Sequence, residues 1–389
     1  MFTSTVRAAA GVFAPGHLGE LTWWLPFELV DAVPAETGAA ERRLRRLPSR
    51  VGVYFVLALV LFPGLGYGRV WGKLVGGLPP MPVPSVKALR DLRRRLGEAP
   101  LRVLFQTLAG PLAQPATVGV RFGRWRTASF DGCRSIKTPD SARNVDWLGK
   151  AGCVRGVTGY PILTLMTLVE TGTRAVLGAT FGPWASETDQ ARKLTHLLKP
   201  DMLVLADRGL DATRLLEDIA ATGAAFLVRQ ISSRRPPIVA HLPDGTNLAR
   251  LGAVRIITAT VTVTCADGTT WTQPYRLVTT LTDHRRHPAA TLIGLYHERW
   301  EHECAYLAIR HTLLHGRVLR STDPIGDIGR AVLADLNPPR RPRVSARKVK
   351  SALSRYNKAD PHRPLTSKRI TDITTNSTPA ATLTARAGP

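Results

Sequence analysis

Apolar positions along this chain change their spacing more than once, and each change marks a different kind of element. Residues 1–115 carry Leu, Trp and Val patches separated by Pro-Gly-rich breaks such as Gly76-Gly77-Leu78-Pro79-Pro80-Met81-Pro82, the pattern of a helical N-terminal domain. Val51 to Leu61 is a continuous apolar run stopped by Pro63, Gly64 and Gly66; it is too short to span a bilayer and predicts a buried helix. Ser85 is a predicted N-cap for a helix over Val86 to Leu96. That helix would pack through Val86, Leu89, Leu92 and Leu96, while Lys87, Arg90, Arg93, Arg94 and Arg95 form either a DNA-contacting or a merely solvated face.

From residue 116 the period shortens to that of strands. Strands are predicted at Thr117 to Phe122, Trp125 to Asp131, Ile162 to Val169 and Ala175 to Thr180, then at Met202 to Ala206 and Ala225 to Arg229. Helices are predicted at Glu187 to Leu198 and Ala212 to Thr222. Three strands, helix, strand, helix, strand is the order of an RNase H-like mixed sheet, so residues 116–229 read as the first part of an α/β core. Residues 230–285 read as a β-rich insertion: Val254, Ile256, Val261 and Val263 alternate towards the turn signal Ala266-Asp267-Gly268, followed by Trp271 to Leu281. A last core helix is predicted from Ala289 to Leu314, stopping at Gly316, within residues 286–330. Residues 331–389 form a basic C-terminal tail opened by Pro338-Pro339-Arg340-Arg341-Pro342-Arg343, its final Thr-, Ala- and Asn-rich stretch expected to be disordered.

Charge narrows the choice of partner. The 389 residues hold 53 basic and 29 acidic side chains, a formal charge of +24, far beyond what solubility needs, and nucleic acid is the expected partner. Ten of the basic residues are Lys and the rest Arg, which suits planar phosphate contacts and fits a GC-rich genome equally well. Cys133, Cys153, Cys265 and Cys304 are scattered without a Cys-x-x-Cys pair or a zinc-like His spacing, as in a reducing cytosol. The N-terminus lacks a basic start followed by an apolar stretch and a small-residue cleavage site, so neither export nor a membrane location is expected.

Three carboxylates carry the candidate chemistry: Asp131 in Ser-Phe-Asp-Gly, Asp207 in Leu-Val-Leu-Ala-Asp-Arg-Gly, and Glu303 in Tyr-His-Glu-Arg-Trp-Glu-His-Glu. Alone, either aspartate could be a turn residue and the glutamate a surface helix acid. On the predicted order of elements the aspartates end neighbouring strands and the glutamate arrives from a helix packed across the sheet. Three hard oxygen donors suit Mg²⁺ or Mn²⁺, and two such ions would serve an in-line phosphodiester displacement. At about 100° per residue, Tyr296, Arg299 and Arg310 share the helix face of Glu303 and would hold DNA phosphates beside the scissile bond. Trp300 falls on another face and reads as core packing, and His297, His302 and His311 as packed or solvated residues.

The chain resembles the DDE transposases of bacterial insertion sequences, in the insertion-sequence-four branch, whose mark is Tyr, two residues, Arg, three residues, Glu, six residues, Lys. Here the spacing is kept by Tyr296, Arg299, Glu303 and Arg310, with Arg for the final Lys; Asp131 in Phe-Asp-Gly and Asp207 in Ala-Asp-Arg-Gly match the two aspartate motifs. The resemblance runs from about Leu18 to Ile370. It implies a bacterial, nucleoid-associated cytoplasmic enzyme that binds the terminal inverted repeats of its element as a homodimer, cuts the ends with Mg²⁺ and joins them to target DNA. It also makes Trp271 a candidate holder of a flipped base, against a plain packing role in the insertion. Two departures stand out. Arg310 keeps charge but not shape, and Asp323-Pro324 runs almost directly into Ile325-Gly326-Asp327-Ile328-Gly329-Arg330, where relatives have a long helical stretch. A shortening at 324/325 leaves open the alternative of an inactive remnant that only binds DNA.

Overall fold

The computed structural model describes residues 18–307, Ile309 and the strand at 368–375, apart from 44, 81, 115, 118, 151, 154, 155, 158, 184, 185, 250–253 and 266–269. Among the described residues six helices come first: Leu18–Trp24, Phe27–Glu36, Ser49–Leu61, Tyr67–Leu74, Val86–Leu96 and Ala99–Leu108. Ser49–Leu61 is the axis of this group, buried at every position from Gly52 to Val60, because its apolar residues leave no polar face to turn outward. Gly52 lets Val86–Leu96 approach; a Cβ there would stand 3.1 Å from Leu92 Cδ1. Ser85 caps that second helix as expected, its Oγ accepting from the Ala88 amide at 3.1 Å. Leu89, Leu92 and Leu96 are buried, but Val86 is 51% exposed, so the packed stripe begins one turn later than its sequence suggests.

A mixed sheet follows. Along it the strands lie in the order β6 (Val176–Gly182), β5 (Ile162–Glu170), β2 (Trp125–Lys137), β7 (Met202–Ala206), β8 (Ala225–Arg229), β12 (Thr270–Thr279), β11 (Val254–Cys265), β10 (Asn247–Ala249) and β9 (Ile238–His241), while β3 (Gly152–Cys153) and β4 (Gly156–Val157) pair with each other apart from it. The pairs β2/β5 and β5/β6 are antiparallel, whereas β2/β7 and β7/β8 are parallel, an arrangement consistent with an RNase H-like core. The first predicted strand shrinks to β1 (Arg121–Phe122), a short hairpin arm on Trp125 and Arg126 turned by Gly123 at φ 56°. The predicted helix from Glu187 is α-helical to Arg192 and resumes as a 3₁₀ turn at Thr195–Leu197.

The β-rich segment does not stand apart from the core sheet. β12 pairs antiparallel with β8 through Leu277↔Arg229, Val278↔Val228 and Thr279↔Leu227, so its strands prolong the same sheet. β11 and β12 form the long hairpin that the alternation predicts, while the turn residues Ala266-Asp267-Gly268 lie outside the described residues. Within the expected tail, β13 (Lys368–Thr375) pairs antiparallel with Ala259 to Cys265 of β11, so the start of the stretch expected to be disordered is a strand.

Alternation along β7 divides the molecule into layers. Met202, Val204 and Ala206 pack with Leu215, Leu216 and Ile219 of the helix Thr213–Ala221 and with Ala191 of Glu187–Arg192. Leu203 and Leu205 face the other way, onto Leu292, Ile293, Leu295 and Tyr296. The sheet is thus covered on both faces, as a parallel ladder requires. The predicted long helix from Ala289 is broken: α-helix Ala289–Tyr296, a 3₁₀ turn at His297–Arg299, then α-helix Trp300–Leu307. Residues 310–316, with its predicted end, lie outside the described residues.

Candidate active site

The parallel ladder of β2 and β7 brings the two aspartates together. Its last pair is Ser129↔Leu205, and the same register continued by two residues sets Asp131 opposite Asp207, just beyond the end of the pairing. Parity then fixes the side. Phe130 and Ala206 point into the core beneath the helix Thr213–Ala221, so Asp131 and Asp207 turn to the opposite face, the one covered by the helices from Ala289 onward. Each carboxylate is steadied locally: Asp131 Oδ1 accepts from the Gly132 amide at 2.9 Å, and Asp207 Oδ1 accepts from the Gly209 amide at 2.9 Å as N-cap of the 3₁₀ turn Arg208–Leu210.

Glu303 is delivered to the same place by a polar dock that sequence reasoning missed. His302 is wholly buried, with Nδ1 2.8 Å from Ser129 Oγ on β2 and Nε2 2.6 Å from Thr167 Oγ1 on β5. Burial, then the nearby Arg299 charge, pushes its pKa down to about 3, so the ring docks as a neutral imidazole. Tyr306, one turn on, donates to the Asp131 carbonyl oxygen at 2.6 Å and shares Thr167 Oγ1 at 2.9 Å. At the start of the helix, Glu301 accepts from Arg174 Nε at 2.8 Å. Arg174 sits in the β5–β6 turn with φ 62°, the one non-glycine at positive φ among the described residues. Nothing local in the sequence marks these contacts, because the partners are more than a hundred residues apart.

Arg299 joins the acids. Its Nη1 lies 3.6 Å from Asp131 Oδ2 and its Nη2 3.9 Å from Glu303 Oε1, although the residue is only 8% exposed. Burial pulls the guanidinium pKa down, but Tyr296, Asp131, Asp207 and Glu303 outweigh it and the net shift is upward. Asp131 shows the converse: burial raises its carboxyl from 3.8 to about 7, Arg299 opposes that, and the charges of Asp207 and Glu303 add to it. The site therefore holds more negative charge than one guanidinium neutralises. Among the described residues, no three Asp, Glu, His or Cys side chains are gathered closely enough to hold a metal ion as they stand.

The remaining predicted residues divide. Tyr296 is buried and edge-on to Tyr275 of β12, centroids 6.0 Å apart, and burial foremost raises its pKa to about 12. The intervening 3₁₀ turn winds at about three residues per turn, so the even helix face through Tyr296, Arg299 and Glu303 is not continuous. Trp300 is half-buried beneath the Arg299 guanidinium, 5.3 Å from its ring centre, rather than within the core as expected. Arg310, His311 and the 324/325 junction lie outside the described residues; Trp271 pairs with Val263 in the β11/β12 ladder. Two neighbours were not anticipated: Arg229, stacked over Tyr275 at 4.2 Å, and Glu187, which lies against Gly132 and Gly209.

Comparison with known proteins adds two findings. Residues 15–106, which include the six N-terminal helices up to Gln106, match the family model described as insertion element 4 transposase N-terminal. The chain is also 25% identical over 319 residues to the transposase InsG for insertion sequence element IS4 of Escherichia coli (strain K12), covering 77% of this chain and 70% of that protein. Both likenesses are to insertion-element-4 transposases, one confined to the helices and the other reaching far beyond them.

Proposed function

We propose that the chain cleaves DNA at the inverted-repeat ends of an insertion sequence and transfers the cut strands to target DNA. Asp131, Asp207 and Glu303 serve as catalytic carboxylates on an RNase H-like core. The observation that carries this reading is the convergence just past the β2/β7 ladder: two aspartates in one register, on the face where His302 and Tyr306 dock the helix of Glu303.

The donor set fits Mg²⁺ or Mn²⁺ in chemistry, being all carboxylate oxygen, and in charge, since Asp131 is held at about 7 in an acidic cluster. Asp131, Asp207 and Glu303 would hold the ions. Two divalent ions, when bound, supply activation of the attacking oxygen and stabilisation of the leaving one. The protein's own part is placement. Arg299, now bridging Asp131 and Glu303, is the group on hand to take a phosphate oxygen, with Tyr296 behind it and Arg310 assigned the same duty from its motif position. Residues 1–115 bind the element ends, the basic tail adds non-specific attraction, and two copies of the chain act together on a pair of ends in the nucleoid.

Purified protein incubated with Mn²⁺ and a duplex bearing the repeats that flank its gene is expected to nick that duplex, while Asp131→Ala, Asp207→Ala and Glu303→Ala are not. Cutting that survives all three changes overturns the assignment. Binding without cutting by the unaltered chain instead establishes the DNA-binding remnant.

A further inference from the structure

The β2/β7 ladder ends two residues short of Asp131 and Asp207; Asp131 stays paired with Thr167 of β5, but no ladder ties it to Asp207. One side chain occupies that place. Glu187, in the first turn of the helix Glu187–Arg192, puts one carboxylate oxygen beside Gly132 on β2 and the other beside Gly209 in the 3₁₀ turn. A Cβ built on Gly132 would meet Glu187 Oε1 at 3.0 Å and Cδ at 3.2 Å, and one built on Gly209 would meet Asp207 Oδ1 at 3.1 Å and Glu187 Oε2 at 3.2 Å. Oε1 is anchored by Arg134 Nη2 at 3.2 Å, further along β2. Gly132 and Gly209 both have ordinary negative φ, since neither is among the positive-φ glycines. The smallness of Gly132 is therefore explained by Glu187 and that of Gly209 by the carboxylates of Asp207 and Glu187 together, not by backbone conformation.

We infer that Glu187 is a positioning residue that sets the spacing of Asp131 and Asp207, and that the glycines of Phe-Asp-Gly and Asp-Arg-Gly leave room for its carboxylate. The inference rests on the proposed metal-holding role of the two aspartates. Glu187 itself is no ligand here: it lies on the side of the glycines, with Arg134 on Oε1. Its effect is transmitted through Gly132 and Gly209, as partners that orient metal ligands act elsewhere.

The test uses the full chain and Mn²⁺ alone, reading the rise of thermal midpoint with metal concentration, with nicking of the repeat duplex as a second readout. Glu187→Ala is expected to shift the Mn²⁺ midpoint upward on the order of tenfold or more, and Glu187→Gln, which keeps the shape, to recover most of the response. Gly132→Ala is expected to weaken the response alone but to add nothing in the Glu187→Ala background, because the carboxylate it collides with is gone. A full wild-type response in Glu187→Ala, or additive losses with Gly132→Ala, overturns the inference and leaves the metal-site reading intact. Absence of any Mn²⁺ response in the unaltered chain overturns both.

Discussion

Asp131 carries a cost that its proposed task explains. With a carboxyl raised from 3.8 to about 7, chiefly by burial, the folded chain keeps a proton between those limits that the unfolded chain has lost. Stability of the metal-free protein therefore falls as pH rises through about 4 to 7 and levels off above. The loss is about 1.4 kcal/mol for each step of one in pH, a few kcal/mol in all. Asp131→Asn removes that charge. Its thermal midpoint should exceed that of the unaltered chain at pH 8 in chelator, the two should converge near pH 4, and its Mn²⁺ response should vanish. Equal midpoints at pH 8 would contradict the strained carboxylate. The identity of this residue was legible in Ser-Phe-Asp-Gly; its strain was not, because burial and the charges of Asp207 and Glu303 reach it only once the chain has folded.

At the scale of elements, the helix Trp300–Leu307 is held on the sheet by a polar dock. Tyr306→Phe removes one hydroxyl that joins Asp131 O and Thr167 and should cost about 1 kcal/mol. His302→Ala leaves the buried hydroxyls of Ser129 and Thr167 without the ring and should cost about 3 kcal/mol by denaturant unfolding. A loss under about 1 kcal/mol for His302→Ala would mean that the dock does not hold the helix. Periodicity showed the helix Val86–Leu96, its Ser85 cap and the strands Met202–Ala206 and Ala225–Arg229 at their observed bounds, since each is fixed by local pattern. It ran Ala289 onward as one helix because a 3₁₀ turn at His297–Arg299 has no composition of its own. That the β-rich insertion prolongs the core sheet was not legible, because which edge a strand joins depends on partners elsewhere, here β8.

For the whole molecule, the decisive quantity is the formal charge of +24. No helix among the described residues is long and apolar enough to cross a membrane. A surface so rich in arginine binds a duplex by displacing its counterions, and each neutralised phosphate contributes about −0.9 to the slope of log affinity against log salt. The exposed Lys87, Arg90 and Arg94 on the helix Val86–Leu96 are free to contribute, whereas Arg95 is held by the Leu47 carbonyl at 2.5 Å and by Glu41. Duplex affinity should therefore fall with a slope of about −6 or steeper between 50 and 200 mM salt. Replacing Lys87, Arg90 and Arg94 together by Gln should flatten it by about 2 to 3 units if this helix lies on the backbone. An unchanged slope would make that face a solvated one and move the DNA path to other elements, while a nearly flat slope in the unaltered chain would remove nucleic acid as the reason for its charge.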